Sequence, residues 1–434
     1  YALSPQFRFD ISRSIYKGML KFLATQHQFE YVVQPLPVSH FHAFFSDSAE
    51  VTLRWQPVLD PLEPTAVPEK YVVYKRIEDH GFDNGGLVDS TSWILKDLKP
   101  GVIYSFKVAA VNSGGESFPS EILSVCWKDT SLSPILIING FDRIAPPEYI
   151  DEPNFKGFAN FLDPGVADKF TFNLTGSQFD FDPNSPYRTN DAPGHGASLA
   201  NYETRLIAGN SFDYPYIHGS AIKNCGYPFI SASDEAFWDG LVDFRNYKII
   251  DLILGEEKTT DFPAPNSKCN TNMEINENYK IFPERLKNKI KTFLNSGGNL
   301  FLSGAYIGSD LVGSKDTTQN DLQFAKEVLK IDWQTNHAAV TGKVSSVDSL
   351  FIQSTEVFHF NTEYHPDLNA VESPDAIDPV KGAKTILRYA ENRFSAATAY
   401  LGNDYSVIVL GFPFETIVDE SWRNRVMRAV LSSF

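Results

Sequence analysis

His195, in Pro193-Gly194-His195-Gly196, and His218, in Tyr216-Ile217-His218-Gly219, each lie against glycine. Such an imidazole can be presented openly to a ligand or metal, and in its neutral form it serves as base or ligand. Ser231, in Ser231-Ala232-Ser233-Asp234, could supply a nucleophile if His218 came within reach. Asp191, Glu203 and Asp213 add carboxylates to the same stretch. Each feature also has an architectural reading: glycine supplies turn geometry, and Ser233 or Asp234 is suited to cap a helix over residues 235–241. The spacings of the histidines and of Cys126, Cys225 and Cys269 fit no zinc or thioredoxin pattern. No metal or other cofactor is therefore expected.

The elements that would position these groups are legible as alternating apolar runs and helices. Residues 134–140, 247–255, 299–303 and 406–411 read as buried strands. Pro283 opens a helix whose buried face is Leu286, Ile290, Phe293 and Leu294, and Ser296-Gly297-Gly298 ends it. An amphipathic helix over 422–431 closes the chain. Repeated βα units predict a doubly wound α/β domain over 131–434, with a mainly parallel sheet and a long insertion at 141–246. In such sheets ligands bind beyond the carboxyl ends of the strands. That rule selects Asn139, Asp142 and Arg143, then Ser231, Ser233 and Asp234, then Glu256 and Glu257, then Tyr306 and Ser309, and finally Glu415. The candidate catalytic set is His195, His218, Ser231 and Glu256. The candidate ligand-binding set is Asp142, Arg143, Tyr216, Glu257, Tyr306 and Glu415. Aromatic residues of the insertion, among them Phe179, Phe181, Tyr187, Tyr214 and Tyr216, have faces suited to sugar rings.

The first 35 residues hold one expected helix, capped at Asp10, with Ile11, Ile15, Met19, Phe22 and Leu23 on a face that calls for a covering partner. Residues 36–127 read as an all-β sandwich, with strands at 51–55, 71–76, 92–95 and 104–111. Leu98-Lys99-Pro100-Gly101-Val102-Ile103-Tyr104, the run Val108-Ala109-Ala110-Val111-Asn112, the turn Gly114-Gly115-Glu116-Ser117 and Trp55 together resemble a fibronectin type III domain. Tyr104 then occupies its tyrosine corner, returning a hydroxyl to the backbone.

Leu302-Ser303-Gly304-Ala305-Tyr306-Ile307-Gly308 has the strand–turn–helix layout of a nucleophile elbow, and the 131–434 region resembles a flavodoxin-like, class I glutamine amidotransferase-like domain. That family carries cysteine at the elbow, where this chain has Tyr306. Its last strand leads to His-Pro-Glu, where this chain has Gly411-Phe412-Pro413-Phe414-Glu415. A tyrosine hydroxyl titrates near pH 10 and is a poor nucleophile without a base, so glutaminase chemistry is not expected. Tyr364-His365-Pro366-Asp367 mimics the missing motif but precedes another strand-like run.

The whole order, with residues 9–22, Tyr216-Ile217-His218-Gly219-Ser220-Ala221-Ile222 and 411–416, resembles the C-terminal part of secreted Bacteroidetes proteins called xanthan lyase-like or N-acetylmuramoyl-L-alanine amidase-like. The resemblance implies a secreted, periplasmic or cell-envelope protein and glycan or peptidoglycan contact. It also implies that residues 1–35 are the tail of an upstream amidase-like domain, which carries the zinc site, and that this chain is a non-catalytic accessory region. The alternative is a hydrolase or polysaccharide lyase acting in the strand-end crevice. Composition narrows the partners independently. Among 434 residues, 54 acidic against 38 basic side chains give a net charge of −16, which disfavours nucleic acid and anionic membrane surfaces. No apolar run is long enough to span a bilayer, and the first residues lack a signal-peptide pattern.

Overall fold

The computed structural model describes residues 5–141, 149–152, 155–158, 179–180, 194–195, 213–259, 280–347, 351–352, 356–362, 368–369, 371 and 373–434. The chain divides into two compact units: Tyr1–Asn139 with Asp213–Lys248, and Gly140–Phe212 with Ile249–Phe434.

Helix α1 (Pro5–His27) starts earlier than the Asp10 cap suggested, because proline is tolerated in a first turn. Its apolar stripe is left uncovered by the described residues. Ile15, Met19 and Phe22 are 58–63% exposed, and Ile11 and Leu23 are 44% exposed. The opposite face docks through charge: Arg13 Nε lies 3.0 Å from Asp60, Lys17 Nζ 3.5 Å from Asp60, and Lys21 Nζ 3.1 Å from Glu63. Asp60 and Glu63 are themselves almost fully covered, so satisfying their charge decides which face turns inward.

The strands β1 (Ser39–Asp47), β2 (Glu50–Gln56), β3 (Lys70–Ile77), β4 (Gly86–Val88), β5 (Ser92–Leu95), β6 (Ile103–Asn112), β7 (Gly115–Glu116) and β8 (Leu123–Cys126) form two antiparallel layers. One runs β1–β2–β5; in the other β3 pairs with β4 and β6, and β6 with β7 and β8. Between them Phe41, Trp55 and Tyr71 pack edge to face, with Trp55 and Tyr71 centroids 5.4 Å apart. The expected corner is present, with the Lys99 amide donating to the Tyr104 hydroxyl at 3.2 Å.

Strand β9 (Ile135–Asn139) follows, wholly buried. Within the second unit, β10 (Tyr149–Glu152) pairs antiparallel with β11 (Phe155–Phe158), and β12 (Phe179–Asp180) parallel with β13 (Gly194–His195). The chain then rejoins the first unit as α2 (Tyr214–Asn224), β14 (Phe229–Ser233) and α3 (Asp234–Trp238). One edge of β14 runs parallel to β9 from Phe229↔Ile135 to Ser233↔Asn139. Its other pairings are antiparallel, with β8 at Phe229↔Cys126 and with β1 at His42↔Ala232. The sandwich is thereby continuous with a parallel strand pair. Gly219 lets α2 close onto β14, since a Cβ there would stand 2.1 Å from the Phe229 ring.

In the second unit β15 (Ile249–Gly255), α4 (Glu284–Asn295) and β16 (Asn299–Gly304) make a βαβ unit with parallel strands in register from Ile249↔Asn299. Leu286, Ile290, Phe293 and Leu294 are buried as expected, each worth about 1.5–3 kcal/mol. After β16 come a π-helical turn, Ser309–Gly313, α5 (Gln319–Gln323) and a second π-helical turn, Phe324–Leu329. Strand β17 (Ile331–Thr335) precedes β18 (Lys343–Ser346), β19 (Val357–His359), β20 (Ala376–Pro379), β21 (Lys384–Tyr389), β22 (Ser395–Leu401), β23 (Ser406–Leu410) and α6 (Glu420–Ser433). β23 is parallel to β16, whereas β22, β21, β18 and β19 continue the sheet antiparallel. The sheet is mixed, with its parallel part at β15–β16–β23. No helix of the described residues is long and apolar enough to cross a membrane.

Candidate functional site

The predicted residues that the second unit assembles are those at the carboxyl ends of β15, β16 and β23. After β15 the chain turns at Gly255, whose φ of +51° is left-handed. The Ala305 amide then donates to the Gly255 carbonyl at 2.9 Å, tying the two strand ends together. Glu256 and Glu257 follow, 6% and 4% exposed, and Lys258 sets its ammonium 5.5 Å from the centre of the Tyr306 ring. The Thr259 amide donates to Asp310 at 3.3 Å. Glu415, 1% exposed, sits in the turn Phe414–Thr416 beyond β23, and Phe414 meets Phe301 edge to face at 5.9 Å.

The strand-turn-helix layout expected around Tyr306 is present, but its amide groups are already engaged. Gly308 and Ser309 donate backbone N–H groups to one carboxyl oxygen of Asp375 at 2.6 and 3.0 Å. The Trp333 indole donates to the other oxygen at 2.9 Å. Gly308 and Gly313 make room for that indole, since a Cβ at either would stand 2.9 or 2.7 Å from its ring. The Asp375 amide donates to the Gly411 carbonyl at 2.8 Å, and the Tyr389 hydroxyl donates to the Asp375 carbonyl at 2.7 Å. Burial pushes the Asp375 pKa up to about 8, against the N–H donors that pull it down. Burial likewise drives the Tyr389 hydroxyl well above the ordinary phenol value. Asp375 thus pins, from within the chain, the start of the helical turn that follows Tyr306. Sequence reasoning missed it, because it stands in a loop before β20 with no motif around it.

In the first unit, the Ser231 hydroxyl donates to the Ser124 carbonyl at 2.7 Å and accepts from the Ser124 amide at 2.8 Å. Its proton and a lone pair are both committed to β8. Ser233 accepts from the Ala236 amide at 3.3 Å as the N-cap of α3. His218 is wholly buried in α2. Tyr216 lies under Arg76, whose guanidinium carbon is 4.9 Å from the ring centre. Arg76 also grips Asp213 with both terminal nitrogens, at 2.6 and 2.9 Å. Burial raises the Asp213 pKa, with Arg76 opposing. Tyr216 and Asp213 therefore dock the helix onto the sandwich rather than face a ligand. Asp142, Arg143 and residues 364–367 lie outside the described residues, as do the insertion aromatics Phe181 and Tyr187. His195 and Phe179 are placed only as backbone, in β13 and β12. Among the described residues no group of three or more histidine, cysteine, aspartate or glutamate side chains could hold a metal ion.

The fibronectin type III domain family matches residues 36–125. Among solved structures, the twitchin kinase region from C. elegans is 21% identical over 23% of this chain and 18% of that one, with a TM-score of 0.20. A structure titled as a myokine is 18% identical over 22% of this chain and 99% of its own, with a TM-score of 0.19. The FN5 domain of Drosophila Lar is 19% identical over 22% and 99%, with a TM-score of 0.18. The chain spans under a fifth of the twitchin structure. A search of the curated proteins found no match. The two-layer strand pairing, the tyrosine corner and the family match agree that residues 36–125 are a fibronectin type III domain.

Proposed function

We propose that this chain is an accessory region of a secreted or cell-envelope protein that processes cell wall or polysaccharide, and that the strand ends of its second unit bind glycan or peptidoglycan without converting it. The observation that carries the reading is Tyr306 itself, which stands at the turn after β16 with the Lys258 ammonium 5.5 Å from its ring centre. An acyl-transfer site needs a stronger nucleophile than a tyrosine hydroxyl at that turn. The parallel strands β15, β16 and β23 and the turn at Tyr306 suit the flavodoxin-like, amidotransferase-like reading of 131–434. Residues 1–35 are read as the tail of an upstream domain, and 36–127 as a spacer. Glu256, Glu257 and Glu415, with Lys258 and Tyr306, gather carboxylates, a cation and an aromatic ring at these strand ends, the residue types that sugar recognition uses.

The test is co-sedimentation with peptidoglycan sacculi and with acidic bacterial polysaccharides, while soluble products are followed by mass spectrometry. Binding that weakens in Tyr306→Ala, without products, is the expected outcome. Products that disappear in Glu256→Gln would replace this reading with the hydrolase or lyase alternative.

A further inference from the structure

Ser39, His40 and Asp239 are joined by two hydrogen bonds in the first unit, and none of the three is among the candidate residues assigned above. Ser39 Oγ lies 2.9 Å from His40 Nδ1, and His40 Nε2 lies 2.9 Å from Asp239 Oδ2. The Asp239 carboxylate can only accept, so it holds the imidazole proton on Nε2 and leaves Nδ1 as the acceptor facing the Ser39 hydroxyl. That is the division of labour of a serine hydrolase relay, with the two ring nitrogens exchanged.

The backbone is built to keep this geometry. Register with β2 shifts between Ser39 and His42, and inside that bulge His40 takes a φ of +55°. Left-handed backbone is uncommon for histidine and costs about 1–3 kcal/mol unless neighbours over-determine it. Two neighbours do. The Glu235 carboxylate accepts from the His40 amide at 3.1 Å, and His42 Nδ1 donates to the His40 carbonyl at 2.8 Å. Burial pushes His42 below the usual imidazole value, which keeps it uncharged beside His40. The His40 and Asp239 side chains remain 20% and 32% exposed, so a small molecule can reach them.

We propose that Ser39, oriented and deprotonated by His40 and Asp239, is a nucleophile toward short-chain acyl esters. Its Oγ forms a bond to the acyl carbon and its proton passes to His40 Nδ1. The acyl–oxygen bond breaks as that proton goes to the departing alcohol. Water then adds to the acyl-serine, giving up a proton through the same nitrogen, and releases the carboxylic acid. General-base assistance of this kind supplies about 10²–10⁴-fold, which sets the expected rate over buffer.

The experiment uses the full chain with p-nitrophenyl acetate, and separately with a fluorophosphonate probe mapped by peptide mass spectrometry. The expected result is one adduct on Ser39 and hydrolysis about 10²-fold over buffer, falling to background in Ser39→Ala and at least tenfold in Asp239→Asn. Unlabelled Ser39 in the wild-type chain overturns the proposal whatever the variants do, as does hydrolysis unchanged in a folded Ser39→Ala. His40→Asn keeps a residue that tolerates left-handed backbone, so loss of labelling there with an unchanged melting temperature separates chemistry from folding.

Discussion

The Ser231 hydroxyl bridges the amide and carbonyl of Ser124, at 2.8 and 2.7 Å, and so joins the parallel pair β9–β14 to the fibronectin sandwich. Both residues are fully buried. Ser231→Ala strands a buried amide and a buried carbonyl, and is expected to lower stability by about 1–3 kcal/mol. Urea unfolding checks this. Ser231→Thr, which keeps the hydroxyl, should restore part of the loss if its extra methyl fits.

Arg76 and Asp213 form the second tie within that unit, with side chains only 11% and 19% exposed. Asp213→Asn leaves the guanidinium covered without its countercharge, over the Tyr216 ring. A loss of about 3 kcal/mol is expected. Hydrogen exchange should report the loss first in 214–224, because Asp213 immediately precedes α2.

Asp375 sets a pH dependence for the second unit. Its folded pKa of about 8 lies above the ordinary aspartate value of 3.8, so the folded state holds a proton that the unfolded chain has lost between those limits. The stabilisation is complete below about pH 4 and is lost as pH rises through 8. Asp375→Asn stays neutral and is expected to flatten that slope. Unfolding midpoints at pH 5 and pH 8 are the measurement, and the wild type should lose more than the variant between them.

The exposed stripe of α1 gives a contrast that burial alone decides. Ile15→Ser and Phe22→Ser should each change the stability of this chain by less than about 0.5 kcal/mol, whereas Asp60→Asn should release the helix. Limited proteolysis within residues 9–27 reads the release.

Much of the fold was legible because its signals are local. Pro283 and Gly297-Gly298 bracket α4, Ser233 caps α3, and Lys99 to Tyr104 carries the corner, each within a few residues. The strand ends followed from a general rule about parallel sheets, which placed Glu256, Glu257, Tyr306 and Glu415 at the ends of β15, β16 and β23. At α1 periodicity showed which residues share a face, but not that the neighbouring carboxylates would draw the opposite face inward.

What the sequence by itself determined was a subset of the elements, those marked by helix stops, caps, turn residues and strand runs that act over short spans; the antiparallel strands β17–β22, which make the sheet mixed, were not among them. Only the tertiary structure decided the state of the polar groups. Ser231 finds Ser124 across 107 residues, Arg76 finds Asp213 across 137, and Asp375 finds the Gly308 amide across 67. A buried donor or acceptor takes whichever partner the packing brings within about 3 Å, and no local pattern in the chain encodes which one that is.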